Sequence, residues 1–358
     1  MPSSNVANLA LPIPIKTFAL KLLAWYQDNK RDLPWRSNPD PYHVWVSEIM
    51  LQQTQVKTAL PHFVKFLKIY PNIETLAQAK ENEVLLNWSG LGYYNRARNL
   101  HRTAQIVCNQ YDGNFPENYL DALQLPGIGR YTAGAILSIA YQKPLPIVDG
   151  NIQRLFIRYL KIEQETQQKN PKKIWELLDQ IVKKPEISQN IGDFNQSLME
   201  MGALICTPKN PNCTSCPLST SCGALKQDLQ TSLPLPRKRK KIRSLHYTVL
   251  IATRGGKYLL RETRSTILPT GFWEFPRILG KPSQRSSQIF KRLHRLDFKV
   301  EREVETVTHQ ITHRRIYFHP LIVSLKDSIP QKPFIWTTLE NKHYPISSYV
   351  NKIARKLK

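Results

Sequence analysis

Four cysteines, Cys206, Cys213, Cys216 and Cys222, fall within 17 residues in the pattern Cys-x6-Cys-x2-Cys-x5-Cys. Thiolates gathered that densely repel one another, so a cationic centre is the physical reason to collect them. Tetrahedral zinc and a [4Fe–4S] cluster both suit four sulfurs. Zinc modules usually carry two close Cys-x2-Cys pairs; here one such pair stands between longer arms, which favours the cluster. A set of disulfides fits poorly, because Cys108 stands alone and nothing else points to secretion. A second candidate is Glu48, set in the apolar run Val44-Trp45-Val46-Ser47-Glu48-Ile49-Met50-Leu51. Burial there raises a carboxyl pKa and keeps a proton available at neutral pH. Asp149, in Val148-Asp149-Gly150-Asn151, reads as a helix N-cap that also faces a cleft.

The third constellation is Leu125-Pro126-Gly127-Ile128-Gly129-Arg130-Tyr131-Thr132-Ala133, a glycine turn entering a helix. Gly127 and Gly129 let the chain turn sharply, and the N–H groups of the following helix face the same side, which makes a phosphate cradle. A plain helix–helix turn is the simpler alternative, but an aspartate 20 residues beyond Gly129 favours the cradle.

These groups need a scaffold. Apolar residues recur at helical spacing over 15–29, 43–51, 58–69, 83–88, 95–110, 131–140, 151–160, 172–182 and 193–204. After Leu245 the texture changes to β-branched and aromatic runs, HYTVLIATR, KYLLR, VEREVETVTH and RIYFHPLIVSL, with a helical SQIFKRLHRL among them. Expected are a mainly α domain over 1–225, with the cysteine loop 206–222 inside it, a basic linker over 226–243, and an α+β domain over 244–358. Net charge is +24: residues 1–226 hold 24 Lys and Arg against 18 Asp and Glu, and residues 227–358 hold 27 against 9. Such a field recruits phosphate backbones by counterion release, though charge alone does not say which polyanion. No apolar run approaches the roughly 18 residues of a membrane span, and the N-terminus lacks a signal-peptide pattern. A reduced compartment and no membrane partner are expected.

Together the hairpin, Val-Asp-Gly-Asn and the cysteine loop resemble the helix–hairpin–helix, iron–sulfur DNA glycosylases, a superfamily that includes endonuclease III. Within it, Trp45 to Val56 resembles the signature of the MutY-type adenine DNA glycosylases. So do Arg31-Asp32-Leu33-Pro34-Trp35-Arg36, Gly90-Leu91-Gly92-Tyr93-Tyr94-Asn95-Arg96-Ala97 and Met199-Glu200-Met201-Gly202-Ala203. Gly271-Phe272-Trp273-Glu274-Phe275-Pro276 is similar to part of the MutT-like (Nudix-like) domain that the family appends.

The resemblance implies a hydrolase of base excision repair that flips adenine from A:8-oxoguanine or A:G mispairs in double-stranded DNA and leaves an abasic site. It implies Glu48 as the acid at adenine N7, Asp149 as stabiliser of the sugar cation, and Tyr131 and Asn151 as their supports. Arg31, Trp35, Leu51 and Glu200 match base-pocket positions, and Gln53 and Tyr93 the residues that enter the duplex. Gly127, Gly129 and Lys209 match backbone contacts, and the four cysteines bind [4Fe–4S]. Bifunctional relatives carry a lysine where this chain has Tyr131, and a phenol cannot form a Schiff base, so no efficient lyase step is expected. Lesion recognition falls to Thr312 and His313, where Ile311 stands in place of the family's usual aromatic. The family context also implies a monomer of bacterial type, cytoplasmic and nucleoid-associated. A pyrimidine glycosylase/lyase is disfavoured by Tyr131. A non-catalytic iron–sulfur clamp is disfavoured by Glu48 and Asp149, since a clamp needs no acid in an apolar helix.

Overall fold

The computed structural model describes residues 9–162, 170–235, 242–263, 271–294, 296–311, 314–326, 333–341 and 343–357. The described residues divide into two compact units. One takes the chain up to Gln78 and from Asn99 into the linker; the other takes Ala79–Arg98 and the chain beyond the linker. This division is finer than the 1–225 boundary expected, because Ala79–Arg98 groups with the C-terminal unit.

The first unit is built of helices. Each stretch assigned from apolar periodicity is a helix within a few residues, among them Ile15–Asn29, Pro41–Leu51, Val56–Ile69, Arg130–Tyr141, Gly150–Tyr159 and Ile191–Leu204. Local chemistry sets the starts. Asp40 accepts from the N–H groups of Tyr42 and His43 at 2.9 and 3.1 Å, with Pro41 at the first helical position. Ile191–Leu204 packs against Ile15–Asn29, Arg130–Tyr141 and Gly150–Tyr159. Pro41–Leu51 packs on Arg130–Tyr141 and buries every residue from Val44 to Met50. A helix covered on all sides has no wet face, so Glu48 goes inside with its neighbours. No helix among the described residues is long and apolar enough to cross a membrane.

The second unit is α+β, as expected. Its strands are β1 (Arg243–Ile251), β2 (Thr253–Arg254), β3 (Lys257–Glu262), β4 (Trp273–Glu274), β5 (Arg277–Leu279), β6 (Phe298–Glu303), β7 (Val307–Ile311), β8 (Arg314–Leu325) and β9 (Phe334–Thr337). One sheet has the order β5-β1-β8-β6 with β7 also on β8; the other is β2-β3-β4 with β9 on β3. β1 and β8 run parallel, with Tyr247 opposite Phe318. Tyr247, Val249, Ile316 and Phe318 share one core with Tyr349, Val350 and Ile353 of the helix Ser348–Ala354. Leu250, Ile278, Leu321 and Val323 share the other with Phe290 of the helix Gln284–His294. Alternation along the strands thus feeds two faces, each closed by one helix. Pro320 lies inside β8 although it donates no N–H. It falls between Phe318, which pairs with β7, and Leu321, which pairs with β6, where a missing donor costs least.

Candidate active site

Helix Pro41–Leu51 brings Glu48, the hairpin helix brings Tyr131, and the start of Gly150–Tyr159 brings Asp149 and Asn151 to one cavity of about 800 Å³. Arg31, Trp35, Leu51, Gln53 and Glu200 line the same cavity, so nine of the expected site residues meet there. Tyr93 belongs to the other unit, is 46% exposed and holds φ at 47°, with Arg96 5.4 Å above its ring. Thr312 and His313 lie outside the described residues.

Glu48 is 7% exposed. Burial pushes its carboxyl up from 4.5 to about 7; the Tyr131 hydroxyl and the Arg36 charge oppose that rise, and Asp149 adds to it. Tyr131 hydrogen-bonds Glu48 and also lies 3.1 Å from Met199 Sδ. Burial, reinforced by Glu48 and Asp149, pushes the phenol well above its ordinary range. The site can therefore hold a proton on each of these two groups at neutral pH.

Asp149 caps its helix through Oδ1, which accepts from Ile152 N at 2.8 Å, and its Oδ2 accepts from Asn151 Nδ2 at 2.9 Å. It is both cap and cavity residue, as the sequence allowed. Burial raises its pKa, and these two hydrogen bonds restrain the rise. Asn151 Oδ1 in turn accepts from Arg154 Nη2 at 2.9 Å, and Arg154 also donates to the carbonyls of Gly202 and Cys206 at 2.7 and 2.8 Å.

The opposite wall differs. Glu200, 1% exposed, takes two guanidinium groups: Arg31 Nε and Nη2 at 2.7 Å each, and Arg36 Nη1 and Nη2 at 3.0 and 2.8 Å. Burial alone would raise this carboxyl, but the hydrogen bonds from Arg31 and Arg36 outweigh it and hold Glu200 at about 2. Arg36 Nε remains buried with no partner among the described residues. Arg36 was not singled out from the sequence, although it closes the quoted run that starts at Arg31. Its tie to Glu200 spans 164 positions, which no local spacing reveals.

In the hairpin, Gly127 holds φ at 82°, and a Cβ there would stand 2.8 Å from that of Asn99. Gly129 is the N-cap of Arg130–Tyr141, with open space around it. The four cysteines line a second, apolar cavity with Leu155, Tyr159, Ile205 and Leu218. Among the described residues no group of three or more His, Cys, Asp and Glu is placed to hold a single metal ion. Burial and neighbouring thiolates push Cys216 up to about 11, so the donor set needs a positive centre to ionise fully. Arg158 donates to Cys206 Sγ at 3.3 Å and to the Thr207 and Pro208 carbonyls at 2.7 and 3.0 Å, bracing the loop. Lys209 in that loop is exposed.

Residues 46–180 match the family model of HhH-GPD superfamily base excision DNA repair proteins. Adenine DNA glycosylase of Buchnera aphidicola (subsp. Schizaphis graminum) is 38% identical over 92% of this chain and 95% of its own length. The chain belongs to the adenine DNA glycosylases. The human member is 31% identical over 95% of this chain and 74% of its own length. A thermostable thymine-DNA glycosylase structure superposes with a TM-score of 0.53 at 31% identity, covering 60% of this chain and 97% of that one. This adenine DNA glycosylase family member is thus a DNA N-glycosylase, a hydrolase of base excision repair.

Proposed function

We propose that this glycosylase excises adenine paired with 8-oxoguanine or guanine in duplex DNA and leaves the strand uncut at an abasic site. The observation that carries the reading is Glu48, buried with a carboxyl near 7, in one cavity with Asp149. Flipping the adenine costs a few kcal/mol, least at a mispair. The flipped base enters between the Glu48 wall and the Arg31–Arg36–Glu200 wall, with Trp35 and Leu51 as apolar sides. Glu48 gives its proton to N7 while the bond from C1′ to N9 breaks, its electron pair leaving with the purine. The Asp149 carboxylate faces the cation left on the sugar, and water adds at C1′, its released proton restoring the acid form of Glu48. Tyr131 hydrogen-bonds Glu48, and Asn151 keeps Asp149 aimed. No amine stands at position 131, so the reaction ends at hydrolysis.

Gln53 and Tyr93 fill the space that the adenine vacates, and Thr312 and His313 read the opposing base. Gly127, Gly129 and Lys209 contact phosphates. Cys206, Cys213, Cys216 and Cys222 hold a [4Fe–4S] cluster; their convergence on one apolar cavity fits that group. When bound, its cationic core would neutralise part of the charge of the four thiolates and brace the loop; the chemistry of excision is redox-neutral. The protein acts as a monomer.

The test is a single-turnover assay on duplexes with adenine opposite 8-oxoguanine, guanine or thymine, each developed with and without hot alkali. Strand breaks only after alkali, and only for the two mispairs, are expected. Breaks without alkali overturn the reading of Tyr131; absence of excision overturns the function.

A further inference from the structure

The C-terminal helix Ser348–Ala354 turns Tyr349, Val350 and Ile353 into the core of its unit, where Tyr349 stacks on Phe318 at 4.0 Å and donates to Glu274 at 3.1 Å. Its other stripe, Ser348, Asn351, Lys352 and Arg355, follows helical spacing and is exposed. All four residues line a cleft of about 390 Å³ together with Ser89, Gly90, Gly92 and Tyr94 of the same unit. Among the described residues, no acidic side chain lines this cleft. Lys356, one position past Arg355, is ion-paired with Glu305 at 2.5 Å, whereas Lys352 and Arg355 have no acidic partner among the described residues.

The loop forming the other wall is held in place. Tyr94 lies 4.1 Å from the Phe272 ring, and Trp88 Nε1 and Arg96 Nη2 donate to the Gly92 carbonyl at 3.1 and 3.3 Å. Arg96 also takes the Leu91 carbonyl at 3.1 Å. Carbonyl oxygens of this wall are thus already engaged, while Gly92 holds φ at 68° with open space around its Cα. Two cations with no acidic partner among the described residues, small hydroxyl and amide donors, and a fixed glycine turn are what an anion requires. Tyr93, exposed on the same loop, presents a ring on which a base can stack.

We infer that this cleft binds a backbone phosphodiester of duplex DNA, next to the base that meets Tyr93, with Lys352 and Arg355 as its charges. The inference rests on the glycosylase reading for its ligand. It makes the end of the chain part of the DNA-binding surface.

The experiment uses the full chain and a duplex holding one adenine:8-oxoguanine mispair. Kd is measured against salt for the unsubstituted protein, for Lys352→Ala/Arg355→Ala, and for Arg254→Ala/Lys257→Ala as a control of equal charge outside the cleft. The slope of log Kd on log salt is expected to fall by about 1 or more in the cleft variant and to stay unchanged in the control. A second arm replaces single phosphates by neutral methylphosphonates. One position beside the opposing base is expected to weaken the unsubstituted protein and leave the cleft variant indifferent. An unchanged slope, an equal fall in the control, or no such position overturns the inference. If the unsubstituted protein excises adenine while these signatures are missing, only the cleft assignment fails; if it does not excise, the glycosylase reading fails.

Discussion

Two buried glutamates share one cavity and end at opposite ends of the carboxyl range. Glu48 is held near 7 because nothing beside it balances burial: one phenol and a more distant guanidinium oppose the effect without cancelling it. Glu200 is held near 2 because two guanidinium groups grip it from the front. Burial pushes both carboxyls upward, so burial alone does not set the acid; the number of directed donors decides. The cavity acquires one wall whose carboxyl can hold a proton at neutral pH and another whose carboxyl stays ionised, which is the arrangement the proposed excision requires.

Removing the proton donor breaks this contrast most severely. Glu48→Gln is expected to lower the single-turnover excision rate by about 10³-fold or more while duplex affinity changes little. A rate within tenfold of the parent would remove Glu48 from the chemistry. The same variant carries a sign that a surface glutamate would not. Because the folded pKa lies above the ordinary 4.5, the associated stability is complete below that value and is lost as pH rises through about 7. An ionised Glu48 thus costs up to about 3 kcal/mol, and Glu48→Gln should melt higher than the parent at pH 8 but not at pH 4.

Glu200→Gln attacks the other wall. It strands Arg31 and Arg36 against a neutral amide, and unfolding in urea at pH 7 should show a loss of about 3 kcal/mol. Here the sign is reversed: the depressed pKa gives stability that is present above 4.5 and lost as pH falls toward 2. Stability equal to the parent at pH 7 would mean the ion pairs contribute nothing.

A smaller effect concerns the parent alone. Its single-turnover rate should fall about tenfold per pH unit above roughly 7, as Glu48 loses the proton it is proposed to give. A flat profile to pH 9 would contradict the assignment of the acid. Smallest of all, Arg36→Met removes a charge that favours the Glu48 carboxylate, so the alkaline limb should move upward by a fraction of a pH unit. A downward move would show that Arg36 acts on Glu48 only through structure.

The two carboxyls proposed to carry the chemistry were legible as a buried acid and a helix cap because each sits in a short run whose meaning is local. Glu48 is surrounded by apolar residues with no polar face to escape to, and Asp149 stands where a helix must be capped. The helices themselves were legible for the same reason, since periodicity is a property of neighbours. Arg36 was not, because its worth comes from Glu200 at the far end of the domain. Nor were the two strands within VEREVETVTH, read as one run: Val304–Thr306 interrupts them where β8 exchanges one partner for another. The grouping of Ala79–Arg98 with the C-terminal unit also leaves no mark in composition.

Gly202 touches no reacting group, yet a Cβ on it would stand 2.7 Å from that of Asn151 and 3.1 Å from the Asn151 carbonyl carbon and oxygen. Asn151 in turn donates its side-chain amide to Asp149 at 2.9 Å and also bonds it through its backbone N–H. One added methyl would press on Asn151 from behind and, through it, on the Asp149 carboxylate. A search for damaging changes that scores only substrate contact would pass over this position, whose reach to the site runs entirely through the back of Asn151.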